Sequence, residues 1–180
     1  MAWAVWVTGL PGCGKTSVAR ATQKSLEARG IRARVLELDE IRKVLTPEPK
    51  YTEEERSIVY AALAYMARLL VDEGVNVLID ATGNLRKYRD RARPLIRDFG
   101  EILVEAPMEV CMEREARRKA AYAPEGIYRK GRAGASSTVP GLNVPYEEPL
   151  KPIAVIDSVA FSPDEAGELA AEAIAREFGG

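Results

Sequence analysis

Trp3-Ala4-Val5-Trp6-Val7-Thr8-Gly9-Leu10-Pro11-Gly12-Cys13-Gly14-Lys15-Thr16-Ser17 runs from an apolar stretch through a glycine-rich turn into a helix-forming segment that continues to Arg29. Residues 9–16 fill every specified position of the pattern G-x-x-x-x-G-K-[ST]. A strand before this pattern and a helix after it are the setting in which it makes a phosphate-binding loop. Glycines let the backbone turn its N–H groups inward as a nest for anionic oxygens, and the helix N-terminus adds positive potential at the same spot. On this reading Gly9, Leu10, Pro11, Gly12, Cys13, Gly14, Lys15, Thr16 and Ser17 surround a nucleotide's phosphates, with Lys15 bridging the outer ones and the Thr16 hydroxyl holding Mg²⁺. Cys13 sits among N–H groups that could lower a thiol pKa. It fills an unspecified position of the pattern, so a small residue that merely fits is the simpler expectation.

Outward from the loop, short continuous apolar runs alternate with helical patterns. Strands are expected over residues 3–7, 34–38, 76–79, 102–104 and 153–156, each reading as a buried parallel strand does. Helices are expected near 16–29, 40–46, 53–73, 86–99 and 108–121. Such alternation implies a three-layer α/β fold: a five-stranded parallel sheet covered on both faces. A last helix is signalled by Ser162 as N-cap, Pro163 at the first helical position and Glu165 completing a capping box, with Gly179 and Gly180 ending it.

The 180 residues fit one domain, 1–180, and 47% hydrophobic with 29% charged side chains is ordinary for a soluble globular chain. A net charge of −1 gives no basic field for nucleic acid, and no apolar run reaches the length of a membrane span. Two cysteines, Cys13 and Cys111, and an opening without a secretory leader point to a reducing, cytoplasmic compartment. The chain has no histidine, so any proton acceptor must be a carboxylate or another group.

Three polar features surround the loop. Asp39 and Arg42 follow the second expected strand, where side chains point into the ligand crevice of an open sheet. Asp39 could accept a proton from a substrate hydroxyl, hold Mg²⁺ through water, or cap a helix, and Arg42 could clasp an anionic substrate. Asp80 ends the third strand in Ile79-Asp80-Ala81-Thr82-Gly83-Asn84, either as a second magnesium-orienting carboxylate or as a turn cap. Arg86, Arg89 and Arg93 follow at helical spacing, by default a solvated stripe, and Tyr51 and Tyr60 could stack on a base but more simply pack. Residues 123–152 are rich in Gly, Pro and Ser with little helical periodicity. Beside and within them lie Arg114, Arg117, Arg118, Lys119, Arg129, Lys130 and Arg132. With two acids among them, residues 114–132 carry +5 in a chain of net −1. A basic cluster next to a long loop reads as a lid over phosphates, placed over about 114–150.

Further stretches complete a pattern: Leu36-Glu37-Leu38-Asp39-Glu40-Ile41-Arg42; Tyr51-Thr52-Glu53-Glu54-Glu55-Arg56; Glu109-Val110-Cys111 with Arg114; Gly126-Ile127-Tyr128-Arg129-Lys130-Gly131-Arg132-Ala133-Gly134; and Val139-Pro140-Gly141-Leu142-Asn143-Val144-Pro145-Tyr146-Glu147-Glu148-Pro149. With the phosphate loop, these make the chain resemble, nearly end to end, the adenylylsulfate (APS) kinases. These are phosphate-loop kinases that phosphorylate the 3′-hydroxyl of adenosine 5′-phosphosulfate with MgATP. The resemblance implies ATP and Mg²⁺ as cofactors and a small-molecule acceptor as partner, with no nucleic acid or membrane partner and a homodimer left open. It implies Lys15, Asp39 and Arg42 as catalytic, and Arg114 at the nucleotide. Asp39, Arg42, Tyr51, Arg56, Arg129, Lys130 and Val139 would meet the acceptor, and Thr16 and Asp80 the metal. Departures fall mainly on the acceptor side. Glu37-Leu38 stands for Asp-Gly; Val59, Ala61 and Ala62 stand for an Asn and paired Arg. Val139 stands for an aromatic over adenine, Asn143 for Asp, and about nine residues near 116–125 are extra. Asp80-Ala81-Thr82 looks more like the D-x-T of polynucleotide-type and gluconate-type kinases. Another hydroxyl acceptor therefore stays open; a nucleotide-dependent switch is disfavoured by the lack of an N-K-x-D segment.

Overall fold

The computed structural model describes residues 1–118 and 124–179. Five parallel strands, β1 (Ala4–Thr8), β2 (Ala33–Glu37), β3 (Asn76–Asp80), β4 (Phe99–Glu105) and β5 (Ala154–Asp157), form one sheet in the order β2-β3-β1-β4-β5. All strands run the same way, so the loops that leave β1, β2 and β3 emerge at one end. That end is where open parallel sheets bind ligands.

Both faces of the sheet are covered, which is why its strands read as apolar runs. Along β1 the side chains alternate: Val5 and Val7 enter one core, Ala4 and Trp6 the other. The first core takes α1 (Lys15–Ala28) and α7 (Pro163–Phe178) through Val18, Leu26, Ala170 and Ile174. The second takes α3 (Glu53–Asp72) through Val59, Tyr60, Leu63 and Ala67. Each large apolar side chain fully buried this way contributes about 1.5–3 kcal/mol. The helix α7 has the expected capping box, with Pro163 at its start and Gly179 as C-cap; Gly180 lies outside the described residues.

Four boundaries differ from expectation. Leu38 leaves the sheet and opens α2 (Leu38–Leu45), so β2 ends at Glu37. The helix expected over 86–99 is only α4 (Arg86–Arg89), because Pro94 lacks a donor and biases Arg93 away from helical geometry; turns follow until β4 begins at Phe99. The helix α5 (Met108–Arg117) stops short of 121, and residues 119–123, which include Lys119 and half of the extra stretch, lie outside the described residues. Residues 123–152 are not without regular structure: α6 (Ile127–Arg132) lies inside them, with Tyr128 and Gly131 as its buried face.

Candidate active site

The loop after β1 turns at Gly12 and Gly14, with φ of 80° and 106°, a region L side chains rarely adopt. A Cβ on Gly12 would also run into the Cys111 carbonyl. Gly14 is the N-cap of α1 and offers no side chain, so the helix presents its first N–H groups outward to an anion. Lys15 Nζ donates to the Leu10 carbonyl at 3.0 Å, which holds the ammonium over the loop.

A cleft of about 470 Å³ opens at this point. Its floor is Pro11, Gly12, Gly14, Lys15, Thr16 and Ser17; one wall carries Asp39, Arg42, Tyr51 and Arg56; Asp80 lies at its base; and Arg114, Arg118, Ile127 and Val139 line the opposite side. Gly9, Leu10 and Cys13 do not line it. The Cys13 side chain is fully buried, and burial pushes its thiol up against the lowering effect of Lys15, so it packs rather than reacts. Burial likewise raises the Cys111 thiol to about 11. Arg129 and Lys130 are exposed on α6 and outside the cleft lining. The helix turns inward at Tyr128, whose hydroxyl donates to the Pro11 carbonyl at 2.7 Å, and residues 129 and 130 therefore face away.

At the base, the Thr16 hydroxyl donates to Asp80 Oδ2 at 2.6 Å, and Asp80 is almost fully buried. Burial raises its carboxyl to about 6, although Lys15 and Thr16 pull the other way. Asp80 therefore faces the loop and does not serve as a turn cap. Two hard oxygens beside a phosphate nest suit Mg²⁺, which takes one or two protein ligands and completes its shell with water and phosphate. No cluster of three or more His, Cys, Asp or Glu side chains that could hold a metal ion exists among the described residues.

Three cations that line the cleft differ in what holds them. Arg42 is ion-paired to Glu55 at 3.0 Å, and its guanidinium lies 5.1 Å from the centre of the Tyr51 ring. Tyr51 itself has φ of 56°, an uncommon conformation for a non-glycine residue. Arg42 borders the cleft with its charge balanced by Glu55. Arg56 is only 8% exposed, donates to Asn84 Oδ1 at 3.3 Å and to the Thr138 carbonyl, and has no carboxylate partner among the described residues. Burial pulls its pKa below the ordinary guanidinium value. Arg114 donates to the Cys13 carbonyl and to both Oγ and O of Ser158, fastening the phosphate loop to the turn after β5. Asp39 lies in the first turn of α2, whose N-cap is Glu37, so its capping alternative falls away; Glu37 in turn pairs with Arg20.

Two features escaped the sequence reading. Arg118 lines the cleft, although it was only one of seven basic side chains with nothing to single it out. Arg89 belongs to no solvated stripe: it is completely buried, pairs with Glu101 at 2.6 Å and donates to the carbonyls of Gly83 and Glu147.

A phosphate nest, a hard-oxygen pair at its base and a carboxylate across one cleft define a phosphate-loop nucleotide-dependent phosphotransferase. The chain belongs to the adenylylsulphate kinase family, whose family model matches residues 1–157. It is 36% identical to the adenylyl-sulfate kinase of Rippkaea orientalis over 148 residues, covering 82% of this chain and 77% of that one. It is 35% identical to a probable adenylyl-sulfate kinase of Archaeoglobus fulgidus, covering 88% and 97%. Among solved structures, the Mycobacterium tuberculosis APS kinase CysC in complex with AMPPNP and APS superposes with a TM-score of 0.83 at 31% identity, covering 96% and 97%. A gluconokinase from Sinorhizobium meliloti, with a TM-score of 0.63 at 22% identity, shares the fold. No helix among the described residues is long and apolar enough to cross a membrane.

Proposed function

We propose that this chain transfers the γ-phosphoryl group of MgATP to the 3′-hydroxyl of adenosine 5′-phosphosulfate, giving 3′-phosphoadenylyl sulfate and ADP. The observation that carries the reading is one cleft joining the phosphate loop and Asp80 to Asp39 and an Arg56 without a carboxylate partner among the described residues. A buried guanidinium lacking a counter-ion is costly unless an anion arrives, and the acceptor's phosphosulfate is such an anion.

The loop N–H groups and Lys15 hold the nucleotide's phosphates, and Thr16 and Asp80 would hold Mg²⁺, which supplies charge neutralisation at the transferring group. Asp39 orients the acceptor hydroxyl and takes its proton as the new oxygen–phosphorus bond forms and the bond to ADP breaks. Arg114 and Arg118 add positive charge from the side of the lid, which we place over residues 114–150 of one kinase domain spanning the chain. Closing that segment would exclude water from the transfer. The two free, buried thiols fit a reducing cytoplasm.

ADP release from MgATP, followed with and without adenosine 5′-phosphosulfate, tests the reading. Strong stimulation together with a 3′-phosphorylated product supports it. A protein that binds ATP yet shows no stimulation has an acceptor pocket re-aimed at another hydroxyl.

A further inference from the structure

The loop that leaves β3 is pinned carbonyl by carbonyl. Ala81 O accepts from the Trp6 indole at 2.8 Å, Thr82 O from the Thr8 hydroxyl at 2.6 Å, Gly83 O from Arg89, and Asn84 O from the Glu147 amide at 2.7 Å. Four donors from three parts of the fold, β1, α4 and the segment before β5, thus fix the backbone of residues 81–84. The Asn84 side chain, 2% exposed, inherits that rigidity. Its Nδ2 donates to the Pro145 carbonyl at 2.9 Å, and its Oδ1 accepts from Arg56 Nη1 at 3.3 Å. The carbonyl on one side can only accept and the guanidinium on the other can only donate, so the amide has one satisfactory orientation.

We propose that Asn84 is a positioning residue of the acceptor site, acting through Arg56: its Oδ1 aims the guanidinium into the cleft and leaves its charge uncancelled for the anionic group of the acceptor. This rests on the functional reading above, in which Arg56 meets the phosphosulfate. A neutral acceptor atom is what the task needs. A carboxylate at position 84 would aim Arg56 equally well but would neutralise it, and would set a second oxygen against the Pro145 carbonyl. The other arm of Arg56 reaches Thr138, next to Val139 of the cleft wall, so the aim set by Asn84 also fixes the acceptor side against the lid segment.

The test is steady-state kinetics of the full chain with MgATP and adenosine 5′-phosphosulfate, in the wild type, Asn84→Ala, Asn84→Asp, Arg56→Ala and the two double variants. Asn84→Ala is expected to raise the acceptor KM about tenfold, the scale of one hydrogen bond to a charged group, with the ATP KM unchanged. Asn84→Asp is expected to raise it further, because it cancels the charge. In the Arg56→Ala background neither change is expected to add to the acceptor KM, the mark of two residues acting as one unit. Equal rises in both KM values, or additive effects in the double variants, would overturn the proposal and leave Asn84 a purely structural residue. Absence of turnover in the wild type overturns the functional reading and this proposal with it, so the two failures are told apart by the wild type alone.

Discussion

Replacing Arg89 by alanine should cost more stability than the same change at any other arginine of residues 86–93. Arg89 is fully buried and holds Glu101, itself almost fully buried, while donating to the carbonyls of Gly83 and Glu147. Removing one partner of a buried ion pair costs about 3–5 kcal/mol, since the other charge is stranded. Two orphaned carbonyls would add about 1–3 kcal/mol each if they stayed dry. Against this, Glu101 keeps a second partner in Arg93, which is 44% exposed. Water can also enter the space that Arg89 leaves. A net loss of about 4 kcal/mol is the reasoned figure, and for a chain of this length that lowers Tm by about 10 °C. Arg93→Ala is the control. It removes a half-exposed partner of the same carboxylate and should cost no more than about 1 kcal/mol. The double change Arg89→Met with Glu101→Leu should recover part of the loss, because it removes both charges and leaves only the carbonyls unpaired. Thermal unfolding by circular dichroism gives all four values. If Arg89→Ala and Arg93→Ala lower Tm by the same few degrees, the buried pair contributes nothing special and the reasoning fails.

The catalytic reading makes its own predictions. Lys15→Ala should lower turnover by about 10³-fold through lost charge stabilisation at the transferring phosphoryl group, read by coupled ADP release; near-intact turnover would remove the phosphate loop from the mechanism. Asp39→Asn keeps the shape but loses the proton acceptor, so kcat should fall about 10²-fold or more, and an unchanged kcat would leave Asp39 no role in proton transfer. Asp80→Asn should raise the Mg²⁺ concentration needed for half-maximal activity while excess metal restores much of the rate; loss that metal cannot restore would show that Asp80 acts only on the fold. Ser162→Ala removes the N-cap of α7, outside the cleft lining, and should cost about 1 kcal/mol in urea unfolding with turnover unchanged.

The framework was legible because its signals are local. Buried parallel strands are continuous apolar runs, so all five appear within a few residues of their expected places. The phosphate loop and the capping box of α7 are each written in a handful of adjacent residues. What escaped depends on contacts across the chain. Nothing near Arg89 announces Glu101, which lies twelve positions on in β4 and turns an expected solvent-facing side chain into a core one. The short helix α6 was hidden by the glycines that flank and interrupt it, and its inward face, Tyr128 and Gly131, could be known only once the phosphate loop stood opposite to receive Tyr128. The same rotation sends Arg129 and Lys130 outward, although their motif resembles a lid.

Three arginines of this fold show why charge in the sequence does not locate a binding site. Arg42, Arg56 and Arg89 all lie in helices after strands or loops of the sheet's open end, and all three are buried. Arg89 has Glu101 and two carbonyls, so its charge is spent within the protein. Arg42 has Glu55, whose carboxylate also takes the amides of Lys50 and Tyr51, so its charge goes to shaping the turn before α3. Among the described residues Arg56 has the neutral oxygens of Asn84 and Thr138 and no carboxylate. Neutral acceptors can orient a guanidinium, but they leave its full charge in place, and a full charge in a low-dielectric wall favours an incoming anion strongly. We therefore propose that affinity for the acceptor's anionic group belongs with the arginine whose partners are uncharged. Asn84, one of the two residues that make it so, lies outside the cleft lining.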